Sequence, residues 1–226
     1  MSKIIGIHPA DGDLRFFRKM IKKFEKVYGK NFQYYRLGFD DRSHEKCIEG
    51  LNNATNSFFM FLCHGVDKKI KGASRPPSHR KEEYDYGYLL SPSKNMQVVR
   101  GNKIFCLACL SKSLGRAAIE QGAIVYLGFD EVQFSVSPIL EKRVKALSKY
   151  ELRTVLFESL TYSFKNNITF NQFSNYLKLR INKRRNELML DKKHKGRKAR
   201  VEVAKTLGRI KNGITLFGDG NTKLKS

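Results

Sequence analysis

Short, uniformly apolar runs alternate with amphipathic ones over the first 131 residues. KIIGIH (3–8), FQYYRLG (32–38), SFFMFLCHG (57–65), IFCLACL (104–110) and AIVYLGF (123–129) have strand length and predict strands buried on both faces. Between them, DLRFFRKMIKKFEKVYG (13–29) has apolar residues at helical spacing and stops at a glycine. SHEKCIEGLNNA (43–54) predicts a second helix with Ser43 as its N-cap, although Lys46 stands where a capping box would carry Glu or Gln. LGRAAIEQG (114–122) predicts a third. Strands separated by helices are βαβ units, so the expected class is α/β: a mostly parallel central sheet flanked by helices in a three-layer sandwich.

Three segments leave this rhythm. Residues 66–86 are polar and carry prolines, which predicts a surface loop, with GYLLS and MQVV after it as a small hairpin. Residues 139–192 lack strand character and predict two long helices broken at KNNIT, and NGITLFGDGNTKL closes the chain as a strand between glycines. No internal repeat is present, which excludes a solenoid. At 226 residues the chain fits one domain, 1–226, with a basic helical part over about 139–210.

Composition narrows the class. The only apolar run near the N-terminus is IIGI, too short for a signal peptide, and no stretch approaches the length of a membrane span, so a cytoplasmic protein with no transmembrane segment is expected. Four cysteines are too few for a disulfide scaffold and are expected as thiols. The net charge is +23, concentrated toward the end: 22 Lys and Arg against 7 Asp and Glu from residue 141 onward, densest in KLRINKRRNELMLDKKHKGRKAR (178–200). Such a run attracts nucleic acid, an anionic surface or an acidic protein, or forms a solvated helix face.

Chemistry concentrates at two predicted strand ends, where open parallel sheets collect their catalytic groups. His64 closes FFMFLCHG and Cys109 lies near the close of IFCLACL; if the two strands are neighbours, a histidine can take the thiol proton and make the sulfur a nucleophile. Gly65, without a Cβ, permits close backbone approach, so its N–H and that of Cys109 are candidate oxyanion donors. Cys63, His64, Cys106 and Cys109 would make a four-ligand zinc set, but strand parity turns Cys63 away from His64 and Cys106 away from Cys109, so no metal and no cofactor are expected. Cys106-x-x-Cys109 lies within a strand rather than at a helix start, which speaks against a redox dithiol and leaves Cys63 and Cys106 as core thiols. His8 is expected to be structural.

The order of a strand ending in HG, a long loop, a strand ending in A-C-x-S, a small-residue helix, a G-A-x-x-V strand and an acidic turn resembles the CHAT peptidases, relatives of caspases and gingipains. The matching pieces are FFMFLCHG (58–65), IFCLACLSKSLGRAAIEQGAIVYLGFDE (104–131), the helices around FESLTYSF and FNQFSNYLKLR, and TLFGDGNTKL (215–224). The resemblance implies a caspase-like fold and a cysteine endopeptidase with a His64–Cys109 dyad; the A-C-x-S match falls on Ala108, Cys109, Leu110 and Ser111. It departs from the family after the cysteine, where Leu110 and Lys112 replace the frequent acidic residue and glycine. It also directs attention to Asp11 and Asp13 after the first strand, and to Asp130 and Glu131 after the AIVYLGF strand, as substrate-binding carboxylates. Asp is a preferred N-cap, however, and the role expected of Asp11 and Asp13 is to cap the next helix.

The family context implies a protein substrate, acidic if the basic face recruits it, a regulatory partner or oligomer, and a place in bacterial immunity, antiviral defence or cell death. A second expectation belongs to another class: an inactive caspase-like module that binds nucleic acid or an acidic protein through residues 178–200.

Overall fold

Five parallel strands and one antiparallel edge strand make the central sheet of the computed structural model, which describes residues 3–77, 82–132, 141–190 and 196–225. In chain order the elements are β1 (Ile4–Pro9), α1 (Arg18–Tyr28), β2 (Phe32–Leu37), α2 (Asp41–Asn52), β3 (Phe58–Leu62), the short strands β4 (Gly65–Val66), β5 (Lys69–Lys71), β6 (Ser74–Arg75), β7 (Tyr84–Asp85) and β8 (Tyr88–Leu90), then β9 (Lys103–Leu107), α3 (Gly115–Glu120), β10 (Val125–Gly128), α4 (Glu141–Asn166), α5 (Phe170–Leu190), α6 (Arg197–Asn212) and β11 (Thr215–Gly218). The sheet order is β11-β10-β9-β3-β1-β2, with β11 antiparallel to β10.

The sequences of β1, β3, β9 and β10 are apolar on both faces because both faces are covered; β2, at the sheet edge, is buried only at Phe32 and Leu37, so FQYYRLG is not the doubly buried strand that its sequence predicts. Phe58, Met60, Leu62, Phe105 and Leu107 point into a core roofed by α1, α4, α5 and α6. Phe59, Phe61, Cys63, Ile104 and Cys106 point the other way, against α2, α3 and the small strands. Each of these phenylalanines is fully buried, a contribution of about 2–3 kcal/mol apiece relative to exposure. Three layers around a mixed, mostly parallel sheet are thus present. The basic helices lie on this sheet as well: α5 and α6 supply Leu177, Ile181, Val203 and Leu207 to the first core.

Several local expectations change. The 66–86 segment is not a plain loop: β4, β5 and β8 form a three-stranded sheet, β6 pairs with β7, and residues 78–81 lie outside the described set. GYLLS and MQVV form no hairpin, since Tyr88–Leu90 pairs with β5 while Met96–Val99 winds into a 3-10 turn. Residues 13–17 belong to a 3-10 turn, Gly12–Phe17, ahead of α1. The N-cap of α2 is Asp40, whose carboxylate accepts the Ser43 N–H at 2.7 Å; Ser43 sits inside the first turn. The break at KNNIT is where it was expected, between α4 and α5, with Asn167 at positive φ. Of the basic run 178–200, residues 191–195 lie outside the described set. No helix among the described residues is long and apolar enough to cross a membrane.

Candidate active site

Parallel neighbours bring their carboxyl ends to one edge of a sheet. β3 and β9 pair directly, Phe61 with Cys106 and Leu62 with Leu107, and the Cys63 N–H donates to the Leu107 carbonyl. His64 and Cys109 therefore leave the sheet side by side, each two residues past the last ladder pair. β1 lies on the other side of β3, Ile7 opposite Phe61, so the chain after Pro9 emerges at the same edge and carries Asp11 there.

The strand through Cys106 stops at Leu107, so Cys109 lies in a turn and not in the strand. Cys106 is buried in the second core with Cys63, whereas Cys109 is half-buried at the edge; all four cysteines are free thiols. The turn is held tightly. Leu110 takes a left-handed conformation, φ 56°, and donates its N–H to the Asp130 carbonyl. Ser111 is buried and bridges two strands, its hydroxyl donating to the Cys106 carbonyl at 2.7 Å and accepting the Phe129 N–H at 2.9 Å. The serine of A-C-x-S is thus a brace for the cysteine turn.

Gly65 is pressed onto that turn. A Cβ built there would collide with the Cys109 carbonyl and stand 3.1 Å from the Ala108 Cβ. The close approach that Gly65 permits is therefore to the cysteine backbone itself. Lys71 donates to the His64 carbonyl at 2.9 Å, which makes Gly65 a non-hydrogen-bonded position opposite Ile70 and turns its N–H away from β5.

Behind the imidazole stands a carboxylate. His64 Nε2 lies 3.4 Å from Asp11 Oδ2, a buried oxygen that receives no hydrogen bond from the described residues, while Asp11 Oδ1 accepts the Ser74 N–H at 2.9 Å. Asp11 makes no side-chain cap to the turn it precedes. Burial lowers the His64 pKa below its ordinary 6.5, opposed by Asp11 and Asp13 and reinforced by Lys71 and Lys149. Burial raises the Asp11 pKa, opposed by Ser74 and then His64. Near neutral pH this gives a neutral imidazole facing a carboxylate. With Nε2 turned to Asp11, Nδ1 is the nitrogen left to serve as base.

Burial also raises the Cys109 pKa above its ordinary 9.0; the Val132 N–H and the cysteine's own N–H stabilise the thiolate, and Glu131 disfavours it. The basic flank of the cysteine does not reverse this, because Lys112 is paired with Asp130. At rest the sulfur carries its proton, and deprotonation has to accompany attack.

The remaining carboxylates turn to separate partners. Asp13 pairs with Lys145 and Lys149 of α4, Asp130 with Lys112, and Glu131 is exposed beside Cys109. His8 is fully buried, its Nε2 donating to the Leu14 carbonyl at 2.8 Å and its Nδ1 3.2 Å from the Tyr34 hydroxyl, and burial lowers its pKa to about 4; it is structural. Among the described residues no three His, Cys, Asp or Glu side chains converge to hold a metal ion.

Ser74, Val132 and Ser111 act through backbone or buried contacts, and no sequence signal marks the first two. No family model matches the chain, and no curated protein matches it either.

Proposed function

We propose that the chain is a cysteine endopeptidase of caspase-like fold in which Cys109 is the nucleophile, His64 moves the protons and Asp11 orients His64. The observation that carries this reading is the strand-tip arrangement. His64 and Cys109 follow neighbouring parallel strands at equivalent positions, with a buried carboxylate behind the imidazole and Gly65 packed on the cysteine turn. The CHAT resemblance of FFMFLCHG and IFCLACLSKSLG supports the same assignment.

Cys109 Sγ attacks the scissile carbonyl carbon while its proton passes to His64 Nδ1. The imidazolium so formed is stabilised by the Asp11 carboxylate, and its proton goes to the leaving amine as the peptide C–N bond breaks. Water, deprotonated by the same imidazole, then hydrolyses the thioester, releasing the acid and restoring the thiol. The outward Gly65 N–H is the oxyanion donor, with the Cys109 N–H as its companion. Because both partners are neutral at rest, the mechanism is general-base activation of a thiol rather than a preformed thiolate–imidazolium pair.

The substrate is a protein, and the basic C-terminal helices favour an acidic one. At the edge itself Asp11 faces His64, Asp13 pairs with Lys145 and Lys149, and Asp130 pairs with Lys112, so these three carboxylates do not stand free to receive a basic substrate side chain. Substrate contact by carboxylates is confined to Asp13, Asp130 and Glu131 at the rim, since Asp11 is buried behind His64. Family likeness adds the setting: bacterial immunity or cell death, with a partner or oligomer in control. The inactive nucleic-acid-binding alternative draws less support, because the run's Arg180, Arg184 and Arg185 are engaged with Glu158, Glu151 and the Ala204 carbonyl.

Expression of wild type and Cys109→Ala in a bacterial host, followed by mass spectrometry of protein N-termini, tests this reading. New N-termini that appear only with wild type are expected; the same set of termini in both strains would refute it.

A further inference from the structure

One histidine of the chain has no part in the chemistry above yet makes an unusual set of contacts. His44, on α2, is fully buried, far in sequence from both His64 and Cys109. Its Nδ1 lies 2.9 Å from the Asp40 carbonyl, and its Nε2 receives the Ala73 N–H at 3.0 Å. A backbone N–H can only donate, so Nε2 carries the lone pair and Nδ1 the proton, donated to Asp40: only the neutral imidazole satisfies both bonds. The ring stacks on Tyr86, centroids 3.8 Å apart and planes 12° from parallel.

The backbone that His44 grips is the backbone that holds Asp11. Residue 74, next after Ala73, gives its N–H to Asp11 Oδ1. The segment is threaded between the imidazole and the 86–87 turn: Gly72 donates to the Gly87 carbonyl at 3.0 Å, and Tyr86 donates to the Ala73 carbonyl at 3.2 Å. It passes so close that a Cβ on Gly72 would stand 2.9 Å from His44 Nε2 and 2.7 Å from Tyr86. Ala73 is itself fully buried, so water has no access to replace the bond.

We propose that His44 is a positioning residue for the His64 site: by accepting the Ala73 N–H it fixes residues 73–74, and through the Ser74 N–H it holds the Asp11 carboxylate against His64. An apolar residue of equal volume would fill the space but leave the Ala73 N–H unbonded. An imidazolium would oppose one N–H with another. This inference deepens the peptidase reading by naming what sets its third residue. It needs no substrate to be tested, so its failure and the failure of the peptidase reading are separable.

The experiment is an NMR titration of the His64 ring in histidine-labelled wild type, Asp11→Asn, His44→Ala, His44→Gln and the Asp11→Asn/His44→Ala double variant. Asp11→Asn removes the charge that favours imidazolium, so the His64 midpoint falls, by about one pH unit. His44→Ala shifts it in the same direction and adds nothing in the double variant, because both act through one carboxylate. His44→Gln, whose side-chain oxygen reaches the place of Nε2, keeps the wild-type midpoint. If His44→Ala does not fold, His44→Asn takes its place, since its side chain stops short of Ala73. An unshifted midpoint in His44→Ala, additive shifts in the double variant, or a Gln variant that behaves like Ala or Asn would each overturn the proposal.

Discussion

Burial holds the Cys109 thiol protonated, with Glu131 adding to it, and burial keeps the His64 imidazole neutral. Activity then requires unprotonated His64, so the acid limb of a kcat/KM profile lies below pH 6.5, the ordinary histidine value. Asp11 favours the imidazolium; Asp11→Asn therefore moves this limb to still lower pH while its plateau falls about 10²-fold or more, because the ring loses the partner that orients it. A limb that moves upward, or a plateau unchanged, would dissociate Asp11 from the chemistry. His64 and Cys109 are legible in sequence because each closes an apolar run. Asp11 is legible only as an acid after a strand, since its approach to His64 depends on β1 and β3 being neighbours, which no local pattern encodes. The fate of Asp13 and Asp130 is hidden for the same reason: their lysines come from α4 and from the turn after Cys109.

Strand tips and turns carry the site as elements. Four of the five strand runs are legible because both faces of the sheet are covered, FQYYRLG only by its aromatic residues since it forms the half-exposed edge strand β2, and the KNNIT break because asparagines interrupt helical spacing. The short strands β4–β8 escape a periodicity reading, being two or three residues long and paired mostly within the polar segment that contains them. The α2 cap is displaced by three residues because Asp40 and Ser43 are both good caps: the Asp40 carboxylate takes the Ser43 N–H, while the Ser43 hydroxyl accepts the Gly38 N–H instead. Gly65 joins β4 to the cysteine turn, so its contact is the element-level test. Gly65→Ala forces the β3 tip away from the Cys109 carbonyl; a stability loss of about 1–3 kcal/mol in urea unfolding is expected, with peptidase activity lost even where the protein remains folded. A fully active Gly65→Ala protein would show that the two tips do not need this contact.

Across the whole molecule, the basic helices close one face of the sheet, and part of their charge is spent inside the fold. Glu151 on α4 is 2% exposed and meets Arg184 of α5 through two nitrogens, with Nη2 at 2.8 Å; Glu187 takes a third. Sequence shows the basic run and its helical spacing, but not that its arginines answer carboxylates on α4, a helix about thirty residues earlier. Arg184→Ala strands the Glu151 carboxylate in the core and is expected to cost about 3 kcal/mol at neutral pH, whereas the exposed Lys183→Ala changes stability by under about 0.5 kcal/mol. Equal effects in urea unfolding would place the ionic contacts at the surface. The proposed chemistry of the whole molecule turns on one sulfur, best tested by a thiol-directed peptidyl probe with mass-spectrometric mapping in wild type, His64→Ala, Cys106→Ala and Cys109→Ala. Labelling is predicted on Cys109, undiminished in Cys106→Ala and lost in His64→Ala. Label on Cys106, or Cys109 labelling that is indifferent to His64, would contradict it.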